Sequence, residues 1–292
     1  MDVLSWDIII KEDAEKTLNI LLEEFCNINE NTKIYFWLDL EKKEYTIFEK
    51  LIYDIAAFHF NRLGLDINDR GYFVECWTHY RFCSNYSLHI DVDEPEYKKN
   101  KQLFLPFLTT LTYFNNIKNP TMILNVTEDQ YSKNEYQNCD TYFSFPKMLK
   151  HVAFEGNKYY HGAINYFGDT EGKNDRYILG MNLWKRPLAF VEKYNFNIYN
   201  NHDFRFKQLF YINKHYSIFM FKQCDEIKTI KVNHTIMSQL EDGEKQHDFF
   251  KVALKLSKKR FHKEYKDLIK ESDLIENTTF KIRHEPLVDI NL

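Results

Sequence analysis

Two residues apart in Leu88-His89-Ile90-Asp91-Val92-Asp93-Glu94, His89 and Asp91 offer an imidazole and a carboxylate. On an extended strand, side chains two apart leave the backbone on the same side, so the pair would face one interior together. A second imidazole stands far downstream, His161 in Tyr160-His161-Gly162, and Arg176 follows at the head of a strand-like run. Two imidazoles and one carboxylate make a three-ligand face on a metal. On octahedral iron(II) that face leaves three positions open, which suits a co-substrate and dioxygen. The chemistry indicated is oxidative, at a non-haem iron. A His-x-Asp pair is weak by itself among 11 histidines and 43 acids. The set of four residues carries the reading.

The elements that must position these residues follow from the hydrophobic pattern. Leu88, Ile90 and β-branched Val92 predict a short strand around the first pair, and the aromatic and apolar run from Asn157 to Ile164 predicts another around His161. From residue 71 to about 187 the chain reads as short strands with polar breaks, the pattern of a sandwich or barrel with the active site inside. In its first strand Glu75, Trp77 and His79 share a face. Residues 11–27 place Ala14, Leu18, Leu21, Leu22 and Phe25 at helical spacing. Residues 46–63 repeat the pattern through Phe48, Leu51, Ile52, Ile55, Ala56 and Phe60. Residues 34–38 are strand-like. The expected organisation is residues 1–70 as helices buttressing the core, 71–190 as the catalytic core and 191–292 as a C-terminal extension. In the last part, 204–230 is aromatic and strand-prone, and 244–270 is expected to be a long amphipathic helix. That helix would be rich in basic residues, among them Lys251, Lys255, Lys258, Lys259, Arg260, Lys263 and Lys266. It reads either as a surface for an acidic partner or as an ordinary solvated face.

The order of His-x-Asp, distal His and following Arg resembles the 2-oxoglutarate/Fe(II)-dependent oxygenase superfamily, prolyl hydroxylases included. The residues 105–115 and 119–124 are similar to its strand, turn, strand. Phe154-Glu155-Gly156 before Tyr160-His161-Gly162 resembles its approach to the second histidine, and 176–184 its last core strand. The resemblance covers roughly residues 70 to 190 and is absent after about 195. It implies a mainly β fold with flanking helices (α+β) around a double-stranded β-helix, or jelly roll. It further implies Fe(II) on His89, Asp91 and His161, with 2-oxoglutarate as co-substrate gripped at its far carboxylate by Arg176, whose planar fork suits that task. Many members carry Ser or Thr two residues beyond this Arg. Here the position is Ile178, so the second donor is expected from Tyr113, Thr112, Thr110 or a water. Dioxygen would be consumed, succinate and CO2 released, and the substrate hydroxylated, with ascorbate as a reductant. Because Asp91 is present where family halogenases have Gly or Ala, halogenation is disfavoured.

Composition narrows the rest. With 292 residues, 44% hydrophobic and 17% aromatic, the chain can build a substantial core. A net charge of −4 provides no drive towards nucleic acid or an anionic membrane. Nucleic-acid demethylases of the superfamily usually carry a second Arg six residues after the first, a position held here by Asn182. Cys26, Cys76, Cys83, Cys139 and Cys224 form no C-x-x-C pair, which suits a reduced, cytoplasmic protein. Neither a secretory leader nor a membrane-spanning stretch is expected. His79 and His151 compete with the chosen histidines, but His79 lacks a carboxylate two residues on and His151 lacks the following Gly. A structural or surface role is expected for both. Asp93 and Glu94 read as a solvated acidic turn, although Asp93 shares strand parity with Asp91. The favoured substrate is a small metabolite or amino acid, with a protein side chain as runner-up. A cupin-like protein or a non-enzymatic jelly-roll module stands as the alternative from another class.

Overall fold

The computed structural model describes residues 3–29, 34–79, 89–116, 120–127, 140–163, 176–188, 211–224, 227–231, 234–238, 249–254 and 278–283. Its strands pair antiparallel throughout the described residues, with three helices alongside. A major sheet of seven strands is built from β1 (Leu4–Ile10), β2 (Ile34–Trp37), β4 (Phe73–His79), β5 (Leu108–Tyr113), β8 (Lys150–Phe154), β10 (Ile178–Trp184) and β12 (Phe219–Cys224). Their spatial order is β12-β1-β8-β5-β10-β4-β2. A minor sheet of four takes β6 (Thr121–Leu124), β7 (Asp140–Ser144), β9 (Tyr160–Ala163) and β13 (Lys228–Lys231), in the order β13-β7-β6-β9. A short pair joins β3 (Glu44–Tyr45) to β11 (Ile212–Asn213). The major sheet thus draws strands from all three parts of the chain, and β1, in a segment with no strand expected, lies between β12 and β8.

Alternation along the strands of the major sheet splits the apolar residues into two layers. One layer holds Trp77, Leu111, Tyr113, Val152, Phe154 and Ile178 of the major sheet together with Ile123 of β6, so the two sheets meet across it. The other holds Val74, Cys76, Leu108, Ala153, Leu179 and Met181, covered by two helices. These are α1 (Ala14–Asn29) and α2 (Ile47–Arg62), within a residue or three of the helical periods in the sequence. Thr46 caps α2: its hydroxyl accepts from the Glu49 amide while the Glu49 carboxylate accepts from the Thr46 amide, which satisfies two end donors at once. Phe25 of α1 packs against Phe114 and Tyr177, the residues flanking β5 and β10.

Helix α2 also places a buried polar chain against the sheet. His59 and His151 are both fully buried, with their Nε2 atoms 2.7 Å apart. His151 Nδ1 lies 2.8 Å from Thr112 Oγ1, and Arg62 Nε donates to His59 Nδ1 at 3.4 Å. Arg62 can only donate, so His59 Nδ1 accepts and its Nε2 carries the proton towards His151. His151 then donates from Nδ1 to Thr112. Both rings are neutral in this arrangement. Burial drives His151 from the ordinary 6.5 down to about 3, and burial together with the facing His151 and Arg62 drives His59 well down too. His151 therefore has the structural role expected of it; the side chain of His79 lies outside the described residues.

Two expectations are corrected. Residues 249–254, placed in a long helix by their apolar content, form β15 (Phe249–Leu254), which pairs with β14 (His234–Ser238) and β16 (Thr278–Arg283). Phe250, Val252 and Leu254 alternate with a period of two, and the run is aromatic and β-branched, so strand propensity wins over the helical count. The rest of the expected helix lies outside the described residues. Asp93 is buried rather than solvated. It caps α3 (Glu94–Asn100) by accepting from the Glu96 amide and pairs with Arg186, which stacks over Phe104 with its guanidinium carbon 3.8 Å from the ring centre.

Candidate metal centre

His89 and His161 are brought together by the backbone. Each donates its amide to the other's carbonyl, at 2.9 and 2.8 Å, as a hydrogen-bonded antiparallel pair. Directly opposed residues of such a pair project to one face, and their rings stand 4.5 Å apart. Around His89 the expected strand is reduced, among the described residues, to this one bridge. It is enough to hold the parity: Ile90 is buried and Asp91 returns to the side of His89. The Asp91 carboxylate reaches both rings, Oδ1 at 3.5 Å from His89 Nε2 and Oδ2 at 3.6 Å from His161 Nε2. One donor atom from each residue falls within 4.8 Å of the others, and no other such group of three occurs among the described residues. Metal ligands at right angles and about 2.1 Å from an octahedral ion stand on the order of 3 Å apart, so an ion seated here would draw the two Asp91–imidazole gaps of 3.5 and 3.6 Å inward.

The electrostatics suit a cation. Burial would raise the Asp91 carboxyl, but facing His161 and His89, with hydrogen bonds from His89 and Asn182, outweigh it and hold it well below the ordinary carboxylate range. Thr109 Oγ1 lies 3.3 Å from Asp91 Oδ2, and Phe154 packs on the His161 ring with centroids 4.9 Å apart. Thr109 is closely crowded by Gly156. A Cβ at that glycine would meet Thr109 Oγ1 and Pro106, which explains the glycine that the sequence places after Phe154.

Arg176 reaches the same interior from the other sheet. Its neighbour Tyr177 packs with Phe25 on the helix side and hydrogen-bonds Asn115 and Phe114, so alternation turns Arg176 inward, where it is 3% exposed. There it donates to Thr121 Oγ1 and to the Pro120 carbonyl and lies over the Tyr113 ring. Thr121 is two residues from Ile123, which pairs directly with His161. Arg176 is thus anchored one strand repeat, about 6.7 Å, from the histidine row on the inner face of the minor sheet.

Of the expected second donors, Tyr113 stands directly across from Ile178, and its hydroxyl lies 2.7 Å from Thr121 Oγ1. Thr112 is displaced from that role. It alternates to the opposite face of β5 and contacts His151 beneath α2. Thr110 has the parity of Thr112, on the helix side. Thr121, which touches both Arg176 and Tyr113, was not singled out in the sequence; a Thr at the head of an apolar run has no periodic signal to mark it. Glu75 and Asn182 were also missed as site residues. Asn182 Nδ2 and Trp184 Nε1 donate to Glu75 Oε2 at 3.3 and 3.0 Å, and Thr109 Oγ1 donates to Asn182 Oδ1 at 2.7 Å.

No family model matches the chain. No curated protein matches it either. Among solved structures, it is similar to HygX from Streptomyces hygroscopicus with nickel and 2-oxoglutarate bound, at 11% identity over 65% of this chain and 85% of that one, TM-score 0.37. It is similar to a Pseudomonas putida prolyl-4-hydroxylase at 11% identity, over 62% and 93% of the two chains, TM-score 0.37. A third is IDO from Bacillus thuringiensis, at 14% identity over 59% and 84%, TM-score 0.35. These overlaps are loose. No helix among the described residues is long and apolar enough to cross a membrane.

Proposed function

We propose that this protein is an Fe(II)- and 2-oxoglutarate-dependent oxygenase that hydroxylates a small metabolite or amino-acid-type substrate. The observation that carries this reading is the convergence of His89, Asp91 and His161 on one interior face, with the buried cation Arg176 one strand repeat away. Two neutral imidazoles and an ionised carboxylate are a fitting donor set for Fe(II) and leave one side of the ion open. When bound, the iron would supply activation of dioxygen coupled to decarboxylation of 2-oxoglutarate, with succinate and CO2 as the co-products.

The chain's own residues account for binding and orientation. His89, Asp91 and His161 would hold the ion, their mutual geometry set by the backbone bridge. Arg176 would pair with the distal carboxylate of a five-carbon dicarboxylate whose other end reaches the metal. The Tyr113 and Thr121 hydroxyls stand beside Arg176 and would supply the neutral donors that Ile178 cannot. Leu111, Val152 and Phe154 line the same inner layer and would exclude water between the two ends. The two facing sheets are in keeping with a double-stranded β-helix.

Anaerobic addition of Fe(II) and 2-oxoglutarate should produce a weak visible charge-transfer band, absent with either component alone. Succinate release should then be screened over metabolite and peptide libraries in the presence of iron, ascorbate and 2-oxoglutarate. A protein that develops no band and binds no metal at millimolar Fe(II) would exclude this function and favour a non-enzymatic jelly-roll module. Turnover only on intact proteins would replace the small-molecule substrate with a protein side chain.

A further inference from the structure

We propose that Glu75 is a positioning residue for the metal centre, orienting the Asn182 amide so that its Nδ2 end faces the Asp91 carboxylate while its Oδ1 accepts the Thr109 proton. The inference rests on the reading of His89, Asp91 and His161 as metal ligands and adds a residue outside that set.

The register of the major sheet puts Glu75, Asn182, Thr109 and Phe154 directly opposite one another on β4, β10, β5 and β8. Directly opposed residues share a face, so the four form one row across the inner surface. Both ends of the row's reach bear on the site: Thr109 meets Asp91, and Phe154 packs on His161. Within the row the polar contacts are continuous. Glu75 Oε2 accepts from Trp184 Nε1 and Asn182 Nδ2, and Thr109 donates to Asn182 Oδ1. The Asn182 amide also helps to keep the Asp91 carboxylate ionised. Asn182 and Thr109 are 3% and 0% exposed, so water does not substitute for these bonds. An amide in this position has two ways to face, and only a fixed acceptor at one end decides between them. Glu75 is that acceptor, itself pinned by the indole of Trp184.

A carboxylate with no cation paired to it among the described residues, in a half-buried place near a second carboxylate, is costly to retain. Burial and the Asp91 charge accordingly push Glu75 up to about 7. A packing role alone would be filled better by an apolar residue. Partners beyond the ligands that orient a metal-bound carboxylate typically change metal affinity 10- to 100-fold when removed, which is the size of effect expected here.

The test titrates full-length protein with Co(II), whose visible d–d bands report ligand geometry, and follows Glu75→Ala, Glu75→Gln, Thr109→Val and the Glu75→Ala/Thr109→Val pair. Glu75→Ala should weaken Co(II) binding roughly 10- to 100-fold and alter the bands. Glu75→Gln, whose amide oxygen still accepts from Trp184 and Asn182, should keep most of the affinity and the wild-type bands. The double variant should bind no more weakly than the worse single one, because both act through one contact. Should Glu75→Ala fail to fold, Asn182→Leu takes its place with the same expectations. Wild-type bands and affinity in Glu75→Ala would overturn the proposal, as would multiplicative losses in the pair or equal losses in Glu75→Gln and Glu75→Ala. If the wild-type protein itself does not bind Co(II), the metal-site reading fails and the proposal falls with it.

Discussion

Acid should unfold this protein through one buried pair, His59 and His151. Every ring nitrogen of the pair is engaged: Arg62 donates to His59, His59 to His151, and His151 to Thr112. A proton added to either acceptor nitrogen breaks one of these bonds, and one added to His151 Nε2 sets two N–H groups against each other across 2.7 Å. Unfolding releases both rings to ordinary values near 6.5, so the unfolded chain takes up protons first. Stability is therefore fully present above pH 6.5 and declines as pH falls towards the folded value of about 3 for His151. At pH 4 the gap traversed by His151 amounts to about 3 kcal/mol, rising to about 4 kcal/mol at pH 3. His59 is shifted in the same direction and adds to the loss. Against a total stability of about 5–15 kcal/mol, this suffices to unfold a marginal domain. Glu24 and Glu75, raised to about 7 chiefly by burial, act oppositely and lose stability as pH rises from 4.5 to 7. Urea unfolding at pH 7, 5.5 and 4 in the wild type and in His59→Leu/His151→Leu cancels these carboxyl contributions. The variant should lose less than the wild type between pH 7 and 4 by at least about 3 kcal/mol, whatever its stability at pH 7. Equal declines in the two proteins would refute the neutral, relayed pair.

Four further outcomes follow from the site. His161→Ala should abolish the Fe(II)/2-oxoglutarate charge-transfer band and reduce iron affinity by orders of magnitude, measured by anaerobic titration. Arg176→Ala should cost about 3–5 kcal/mol of co-substrate binding, a rise of two to three orders of magnitude or more in the apparent 2-oxoglutarate constant, with iron affinity near that of the wild type. Tyr113→Phe should weaken 2-oxoglutarate about 10-fold, whereas Thr112→Val should lower the melting temperature and leave 2-oxoglutarate affinity alone, as its place beneath α2 requires. Gly180→Ala should destabilise the fold by roughly 1–3 kcal/mol, read by urea unfolding, because the added methyl would overlap the Trp77 indole that lies across β10.

The sequence by itself determined what local rules govern. Ala14 through Phe25 and Phe48 through Phe60 announce α1 and α2 because a helix must repeat its apolar face every three to four residues. The His89 and Asp91 parity survives in the structure although, among the described residues, a single bridge represents the strand, since two residues of extended chain suffice to return a side chain to the same face. What tertiary structure alone decided are relations across the sheet. Neither Glu75 nor Asn182 carries a motif, and they meet because β4 and β10 pair in one register out of several. Thr112 and Tyr113 are neighbours in sequence with equal claims on the co-substrate, and the side of β5 that α2 covers separates them. The strand at 249–254 exists through its partners β14 and β15's other neighbour β16, as isolated extended segments have no stability of their own. Periodicity is a property of one segment, whereas register and facing belong to pairs of segments whose distance along the chain leaves no trace in either.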